Sequence, residues 1–219
     1  MLPLPVLQQI QQELLNCSGS GMSVMEMSHR SSAFDSIFQD TKSRLRALLQ
    51  VPDDYEILFL QGGASTQFAM VPMNLMGRTG RADYALTGNF STKAYEEAQK
   101  FGLCAVACSS ADQNHTYIPQ QEALQLDADA SYFHYCANNT IYGTKWNTLP
   151  ETGNVPLVAD ISSCILSEPI DVSRFGLLYA GAQKNMGPAG LTVVIIREDL
   201  IGHAKDFTPT MFNYQTHAD

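Results

Sequence analysis

Three short segments of this sequence hold residue types that together could do chemistry. The first is Gln61-Gly62-Gly63-Ala64-Ser65-Thr66, which follows the apolar run Glu56 to Leu60 and precedes a helical pattern. A glycine turn there aims free backbone N–H groups outward from a helix N-terminus, where a phosphate can be held. It has neither the lysine of a P-loop nor the Gly-x-Gly-x-x-Gly spacing of a dinucleotide site, and a plain tight turn is the alternative reading. The second is Asp160, directly after the strand-like run Val155 to Ala159; it is either a carboxylate at the rim of a sheet or a helix cap. The third is Lys184, inside Tyr179-Ala180-Gly181-Ala182-Gln183-Lys184-Asn185-Met186-Gly187-Pro188, among small and apolar residues just past a strand. A surface lysine is the alternative here, but an apolar setting disfavours an ammonium and so prepares a nucleophilic or Schiff-base amine.

A phosphate cradle, a strand-end carboxylate and a buried amine are the parts a pyridoxal phosphate site needs: they anchor the phosphate, protonate the pyridine nitrogen and hold the aldehyde. The separation of Asp160 and Lys184 fits one intervening helix and strand, so that both project from adjacent strand ends.

The elements that must position these residues follow from apolar periodicity. Leu4, Leu7, Ile10 and Leu14 recur at spacings of three and four, an amphipathic helix in need of something to pack against. Phe34, Ile37, Phe38, Leu45, Leu48 and Leu49 predict a second helix, capped by Ser31-Ser32 and stopped at Val51-Pro52. Strand-length runs then alternate with helical stretches: Glu56 to Leu60 before Thr66 to Met76, and Tyr84 to Leu86 before Ser91 to Lys100. Leu103 to Ala107, Tyr132 to Tyr135, Leu157 to Ala159, Leu177 to Ala180 and Leu191 to Ile196 read as further buried strands. The expected fold is α/β, a mainly parallel sheet covered by helices on both faces, with ligand sites at the carboxyl ends of its strands. No linker or repeat interrupts it, so the chain reads as a single unit.

Composition narrows the function. A net charge of -9 argues against a nucleic-acid surface, which needs clustered Lys and Arg. With 45% hydrophobic residues, no membrane-length apolar run and no signal-peptide pattern, the expectation is a globular protein of the cytoplasm. Cys17, Cys104, Cys108, Cys136 and Cys164 are scattered and mostly in apolar segments, so reduced structural thiols are expected. Neither Cys-x-x-Cys nor His-Glu-x-x-His occurs, and no metal is expected.

Several segments carry a family resemblance: Met27-Ser28-His29-Arg30, Leu60-Gln61-Gly62-Gly63-Ala64, Phe68-Ala69-Met70-Val71-Pro72-Met73-Asn74-Leu75, His134-Tyr135-Cys136-Ala137-Asn138-Asn139-Thr140-Ile141, Asp160-Ile161-Ser162-Ser163 with Ile170-Asp171-Val172-Ser173, and Tyr179 to Gly190. Over nearly its whole length the chain resembles the phosphoserine aminotransferases, a class V family of fold type I pyridoxal-phosphate enzymes. The resemblance implies the large domain of that fold, a three-layer α/β/α arrangement spanning 1–219. For residues 1–15, its N-terminal helix, a place with the small domain is the alternative. Against the family's pattern the chain starts within the N-terminal segment and ends before the C-terminal small domain. The arginine and histidine of that domain, and the Asn-Thr pair a second subunit contributes, are therefore expected outside it, and transamination is expected of the complete protein.

Residue by residue, the resemblance implies that Lys184 is the Schiff-base lysine and proton shuttle, and that Asp160 pairs with the pyridinium nitrogen. Thr140 would donate to the cofactor's 3′ oxygen. Ala64, Ser65 and Gln183 would hold the cofactor phosphate, with Ser65 standing where the family often has Arg. Phe90 aligns with the aromatic residue that stacks on the ring, a core Phe being the alternative. His29 and Arg30 would bind the phosphorylated substrate, a solvated loop being the alternative. The implied reaction passes an amino group between L-glutamate and 3-phosphohydroxypyruvate, giving O-phospho-L-serine and 2-oxoglutarate in serine biosynthesis, by a cytoplasmic homodimer. Two rivals stay open: a catalytically silent cofactor-binding or dimerisation fragment, and another class V enzyme.

Overall fold

The three-to-four repeat at the start of the chain forms helix α1 (Leu4–Glu13), entered at Pro3. Its apolar face stays open, with Leu4 66%, Leu7 44% and Ile10 48% exposed, so no described residue supplies the cover the pattern calls for. Helix α2 (Ser32–Leu49) is capped by Ser31, whose hydroxyl accepts from the Phe34 N–H at 3.3 Å. It closes through Gln50 in the left-handed region, φ +51°. The computed structural model describes residues 2–218; Met1 and Asp219, the ends of the expected domain span, lie outside the described residues. The chain divides at Val51/Pro52 into two compact units. α1 and α2 belong to the first, and the rest of the chain forms the second.

The second unit is built on seven strands: β1 (Tyr55–Leu60), β2 (Arg81–Leu86), β3 (Leu103–Ser109), β4 (Phe133–Cys136), β7 (Leu157–Asp160), β8 (Leu177–Gly181) and β9 (Thr192–Arg197). A two-residue ribbon, β5 (Asn138–Asn139) with β6 (Thr144–Lys145), follows β4. The sheet order is β1-β9-β8-β7-β4-β2-β3. From β3 to β8 all neighbours are parallel, while β9 is antiparallel to both β8 and β1. This is the mainly parallel, mixed sheet that the alternating pattern predicts. The chain runs outward from β2 to β3, then returns to β4 on the other side of β2 and proceeds the opposite way. Such a reversal opens a crevice at the carboxyl ends of the strands.

Helices α3 (Gly63–Leu75) and α4 (Asn89–Ala98) pack on one face of the sheet. Their core joins Phe68, Met70, Val71, Ala94 and Ala98 to Tyr84, Val158, Leu177, Tyr179 and Val194 from the strands. The segment before the short helix α5 (Gln215–Ala218) is pinned onto α3 by buried hydrogen bonds. The Tyr214 hydroxyl donates to Gln67 Oε1 at 2.7 Å, and its N–H donates to Asn74 Oδ1 at 2.9 Å.

Two features depart from the sequence reading. The Leu103 to Ala107 run is not buried throughout, because β3 is the outermost strand; Leu103 is 72% and Val106 40% exposed. Between Asp160 and Lys184 no α-helix intervenes. The crossover from β7 to β8 is a series of turns with one short 3-10 segment, Val172–Arg174, entered through the Asp171 side chain.

Candidate active site

The crevice holds a cavity of about 170 Å³ whose lining gathers one residue group from each strand end it passes. Gly63, Ala64 and Ser65 come from the start of α3, Phe90 from the start of α4, Cys136 from the end of β4, Asn138 from β5 just after it, Asp160 from the end of β7, and Gln183 and Lys184 from just past β8. Side chains alternate across a strand, and Cys136 is in register with Asp160, which is in register with Tyr179. Asp160 therefore shares the face of Val158 and Tyr179, the face that carries α3 and α4.

The first turn of α3 is open. Gly62 takes φ +95° at its N-cap with no side-chain cap, and Gly63, Ala64 and Ser65, whose amides a helix's first turn leaves without intrahelical partners, line the cavity. A Cβ on Gly62 would stand 2.2 Å from Thr66 Oγ1, so the turn is closed to other residues by both conformation and space. The helix dipole adds positive potential at the same point.

Asp160 is 9% exposed. Burial pushes its carboxyl up from the ordinary range, and hydrogen bonds from Ser162, the charge of Lys184 and the Tyr179 hydroxyl pull against that rise. The Ser162 N–H donates to Asp160 Oδ1 at 2.9 Å, so the residue both caps a turn and presents a carboxylate. Burial also holds the neighbouring Cys136 thiol well above its usual range, and it stays protonated.

Lys184 departs from expectation. It is exposed, because the Gly and Ala around it form a turn after β8 and do not wrap it in core. Its ammonium stands 5.2 Å from the centre of the Phe90 ring. Phe90 is 36% exposed at the cavity edge, so the core alternative for it does not hold. The loop ahead of it is clasped by Ser91, whose Oγ accepts from the Thr87 and Gly88 N–H groups at 3.0 and 3.1 Å.

Comparison with known proteins then decides the family. The class-V aminotransferase model matches residues 1–216. The chain belongs to the class-V aminotransferase family. It is 56% identical to a phosphoserine aminotransferase of Bacillus cereus, over all of this chain and 61% of that protein. A phosphoserine aminotransferase of Geobacillus kaustophilus is likewise 56% identical, over 99% of this chain and 60% of its own. Among solved structures, phosphoserine aminotransferase from Bacillus circulans subsp. alkalophilus superposes with a TM-score of 0.94 at 47% identity, covering 99% of this chain and 60% of that one. A pyridoxal-phosphate-bound phosphoserine aminotransferase from Trichomonas vaginalis gives 0.93 at 38% identity, covering 99% and 61%. The chain thus spans about 61% of the length of the curated relatives it matches.

For this class-V aminotransferase chain, the fold brings Ala64, Ser65, Phe90, Asp160, Gln183 and Lys184 around one cavity. Thr140 is not in that lining; it is exposed in the turn after β5, next to Asn139, which does line it. His29 and Arg30 belong to the first unit, exposed in the turn that leads to the Ser31 cap, where the Arg30 N–H donates to Ser28 Oγ at 3.2 Å. The cavity also uses residues the sequence reading passed over. Asn138 Nδ2 donates to Ser163 Oγ at 2.9 Å, and Ser162 Oγ accepts from the Gly181 N–H at 3.0 Å, tying the ends of β4, β7 and β8 together. Their signal is twofold: each comes just after a strand end, and each lies in a segment that carries the family resemblance.

Proposed function

We propose that the complete protein is a phosphoserine aminotransferase that uses pyridoxal 5′-phosphate and passes an amino group between L-glutamate and 3-phosphohydroxypyruvate, giving O-phospho-L-serine and 2-oxoglutarate in serine biosynthesis. The observation that carries it is the meeting, in one cavity, of an uncapped helix N-terminus, a buried carboxylate, an aromatic ring and a lysine ammonium. That donor set fits the cofactor group by group. The Gly63, Ala64 and Ser65 amides, with the Ser65 hydroxyl and the Gln183 side chain, suit a phosphate. Asp160 suits a protonated ring nitrogen, and the open face of Phe90 suits the ring itself.

Pyridoxal phosphate, when bound, supplies an aldehyde that bonds an amino group and a cationic ring that takes up an electron pair from the α-carbon. The chain's own residues supply the rest. Asp160, whose Oδ1 accepts the Ser162 N–H, would pair as a carboxylate with the protonated ring nitrogen. Lys184 carries a proton at Nζ to and from the α-carbon as a general base and acid. Phe90 would cover one face of the bound ring. His29 and Arg30 are assigned to the substrate phosphate, for which the forked guanidinium is suited, and Thr140 to the cofactor's 3′ oxygen.

We further assign residues 1–219 to the large domain. The open apolar face of α1 supports contact with a small domain or a second subunit, in keeping with a homodimer. The five cysteines are all free, as a reducing compartment such as the cytoplasm keeps them. The test is borohydride reduction of the chain with pyridoxal phosphate, followed by peptide mapping, and substrate kinetics on the complete protein. Label on Lys184 and turnover of phosphoserine with 2-oxoglutarate are expected. A folded chain without label refutes the cofactor site, and turnover of other amino donors alone refutes the substrate.

A further inference from the structure

Between Asn139 and the loop that carries Phe90 lies a contact that the reaction outlined above does not use. Asn139, in the ribbon after β4, is 5% exposed and lines the same cavity as Phe90. Its Nδ2 donates to the Thr87 hydroxyl at 3.2 Å, and Thr87, just past the end of β2, is fully buried. Strands β2 and β4 are adjacent and parallel, but their backbone pairing ends at Tyr84 and His134. Beyond that point a side-chain bridge takes over from the ladder, where the chain reverses direction and the crevice opens.

The same amide fits onto the backbone of the next residue. A Cβ on Gly88 would stand 2.8 Å from Asn139 Oδ1 and 3.2 Å from Tyr142 Cδ2, so the loop lies directly against the ribbon. The ribbon itself is held: the Asn139 carbonyl accepts from the Tyr142 and Gly143 N–H groups at 3.1 and 2.9 Å, and the Tyr142 ring packs edge-on against His115 at 4.9 Å. On its other side the loop runs straight into α4. Ser91 Oγ, which accepts from the Thr87 and Gly88 N–H groups, donates to the Gly88 carbonyl at 2.9 Å, so Thr87 to Ser91 forms one piece. Phe90 lies inside that piece. Holding Thr87 and Gly88 therefore sets where the ring stands, and Asn139 holds them from across the crevice.

We propose that Asn139 is a positioning residue: through Thr87 and Gly88 it fixes the Phe90 ring at the cavity, and so sets the face that the ring of pyridoxal phosphate meets. The last clause rests on the pyridoxal phosphate reading above; the clasp from Asn139 to Thr87 and Gly88 is a property of the chain alone. Stacked rings attract fully only at the right height and tilt, so a loop free to shift forfeits part of that attraction, and the clasp supplies the preorganisation. The Lys184 ammonium packs on the same ring, 5.2 Å from its centre, so a displaced Phe90 loosens the amine as well.

Two measurements test it. In the full chain without cofactor, labelled with 4-fluorophenylalanine, the ¹⁹F NMR signal of Phe90 is assigned by its loss in Phe90→Ala and is expected to shift in Asn139→Ala. Thr87→Val, which keeps the volume and removes the hydroxyl, is expected to shift it too. A Phe90 signal in its parental place in either variant, with the protein folded, overturns the proposal. The second measurement is the Kd of pyridoxal 5′-phosphate for the parent, Asn139→Ala, Phe90→Ala and the double variant. Because Asn139 acts through the ring, Asn139→Ala is expected to weaken binding by no more than Phe90→Ala does, about two- to tenfold, and to add nothing in the Phe90→Ala background. An equal loss in both backgrounds overturns the positioning role, since a purely structural residue or a direct ligand contact acts whether or not the ring is there. If the parent binds no pyridoxal phosphate, the cofactor reading fails instead, and the ¹⁹F result still decides whether Asn139 sets the ring.

Discussion

Acidification from about pH 7.5 to about pH 5 is expected to take about 2 kcal/mol from the native state through His134 alone. Burial pushes this imidazole down from 6.5 to about 3, whereas in the unfolded chain it protonates in the ordinary histidine range. The unfolded state thus binds a proton that the native state refuses, and stability falls with pH throughout that interval. The contribution is complete above the unfolded value, shrinks as pH drops below it, and is fully lost once pH falls through the folded value. At about pH 5 the native imidazole is still neutral, so the loss is set by the unfolded value: about 1.5 units at about 1.36 kcal/mol per unit. Asp83 and Asp160, whose carboxyls burial pushes up, act in the opposite direction, but they are common to a parent and a His134→Gln variant. Urea unfolding of both proteins at the two pH values isolates the histidine. Trp146, the single tryptophan, packs edge-on at 5.4 Å against Tyr135, the neighbour of His134, and reports unfolding by fluorescence. With a urea slope of about 2 kcal/mol/M, the parent's midpoint should fall about 1 M further than the variant's. Parallel falls in the two proteins would refute the reasoning, since they would mean that the native imidazole takes up its proton as readily as the unfolded one.

Lys184→Ala should abolish borohydride labelling and slow amino transfer by the complete protein about 100- to 10,000-fold, while the melting temperature of the chain stays put because the side chain is exposed. Gly62→Ala forces a Cβ against Thr66 at a positive φ; thermal melts should show a loss of about 1–3 kcal/mol, with weaker cofactor binding measured by titration. Phe90→Ala removes a stacking surface worth about 0.5–1.5 kcal/mol, so the cofactor Kd should rise about two- to tenfold with no matching change in stability.

The strands were legible in the sequence because their apolar runs are short and bounded by Gly, Pro, Asn or Asp, and the Asp160 and Lys184 positions followed from those bounds. What could not be read was depth within the sheet. Leu103 to Ala107 looks like a core run because side-chain periodicity reports the faces of a strand and carries no information about its rank in the sheet. The setting of Lys184 was ambiguous for a related reason: Gly181 and Ala182 suit a turn and a packed core equally well, and only the chain's path after β8 separates the two. The length of the crossover after Asp160 suits a helix, yet Ser162, Ser163 and Asp171 turn their side chains to backbone and neighbouring loop groups, which favours turns over helical hydrogen bonding. Asn138 and Ser163 lie in segments that carry the family resemblance, but what unites them is a tertiary contact between strand ends, which no local pattern encodes.

The antiparallel edge of the sheet sets a timetable for biosynthesis. Leu60 pairs with Thr192 and Tyr55 with Arg197, so β1 leaves the ribosome long before the strand that will satisfy its backbone has been translated. At about 5–20 residues per second that wait is on the order of 10 s. Throughout it Tyr55, Ile57 and Leu58, all deeply buried once folded, have no ladder to join. The nascent chain therefore depends on delayed closure of one seam, and that seam is where chaperones would find their longest-lived hold.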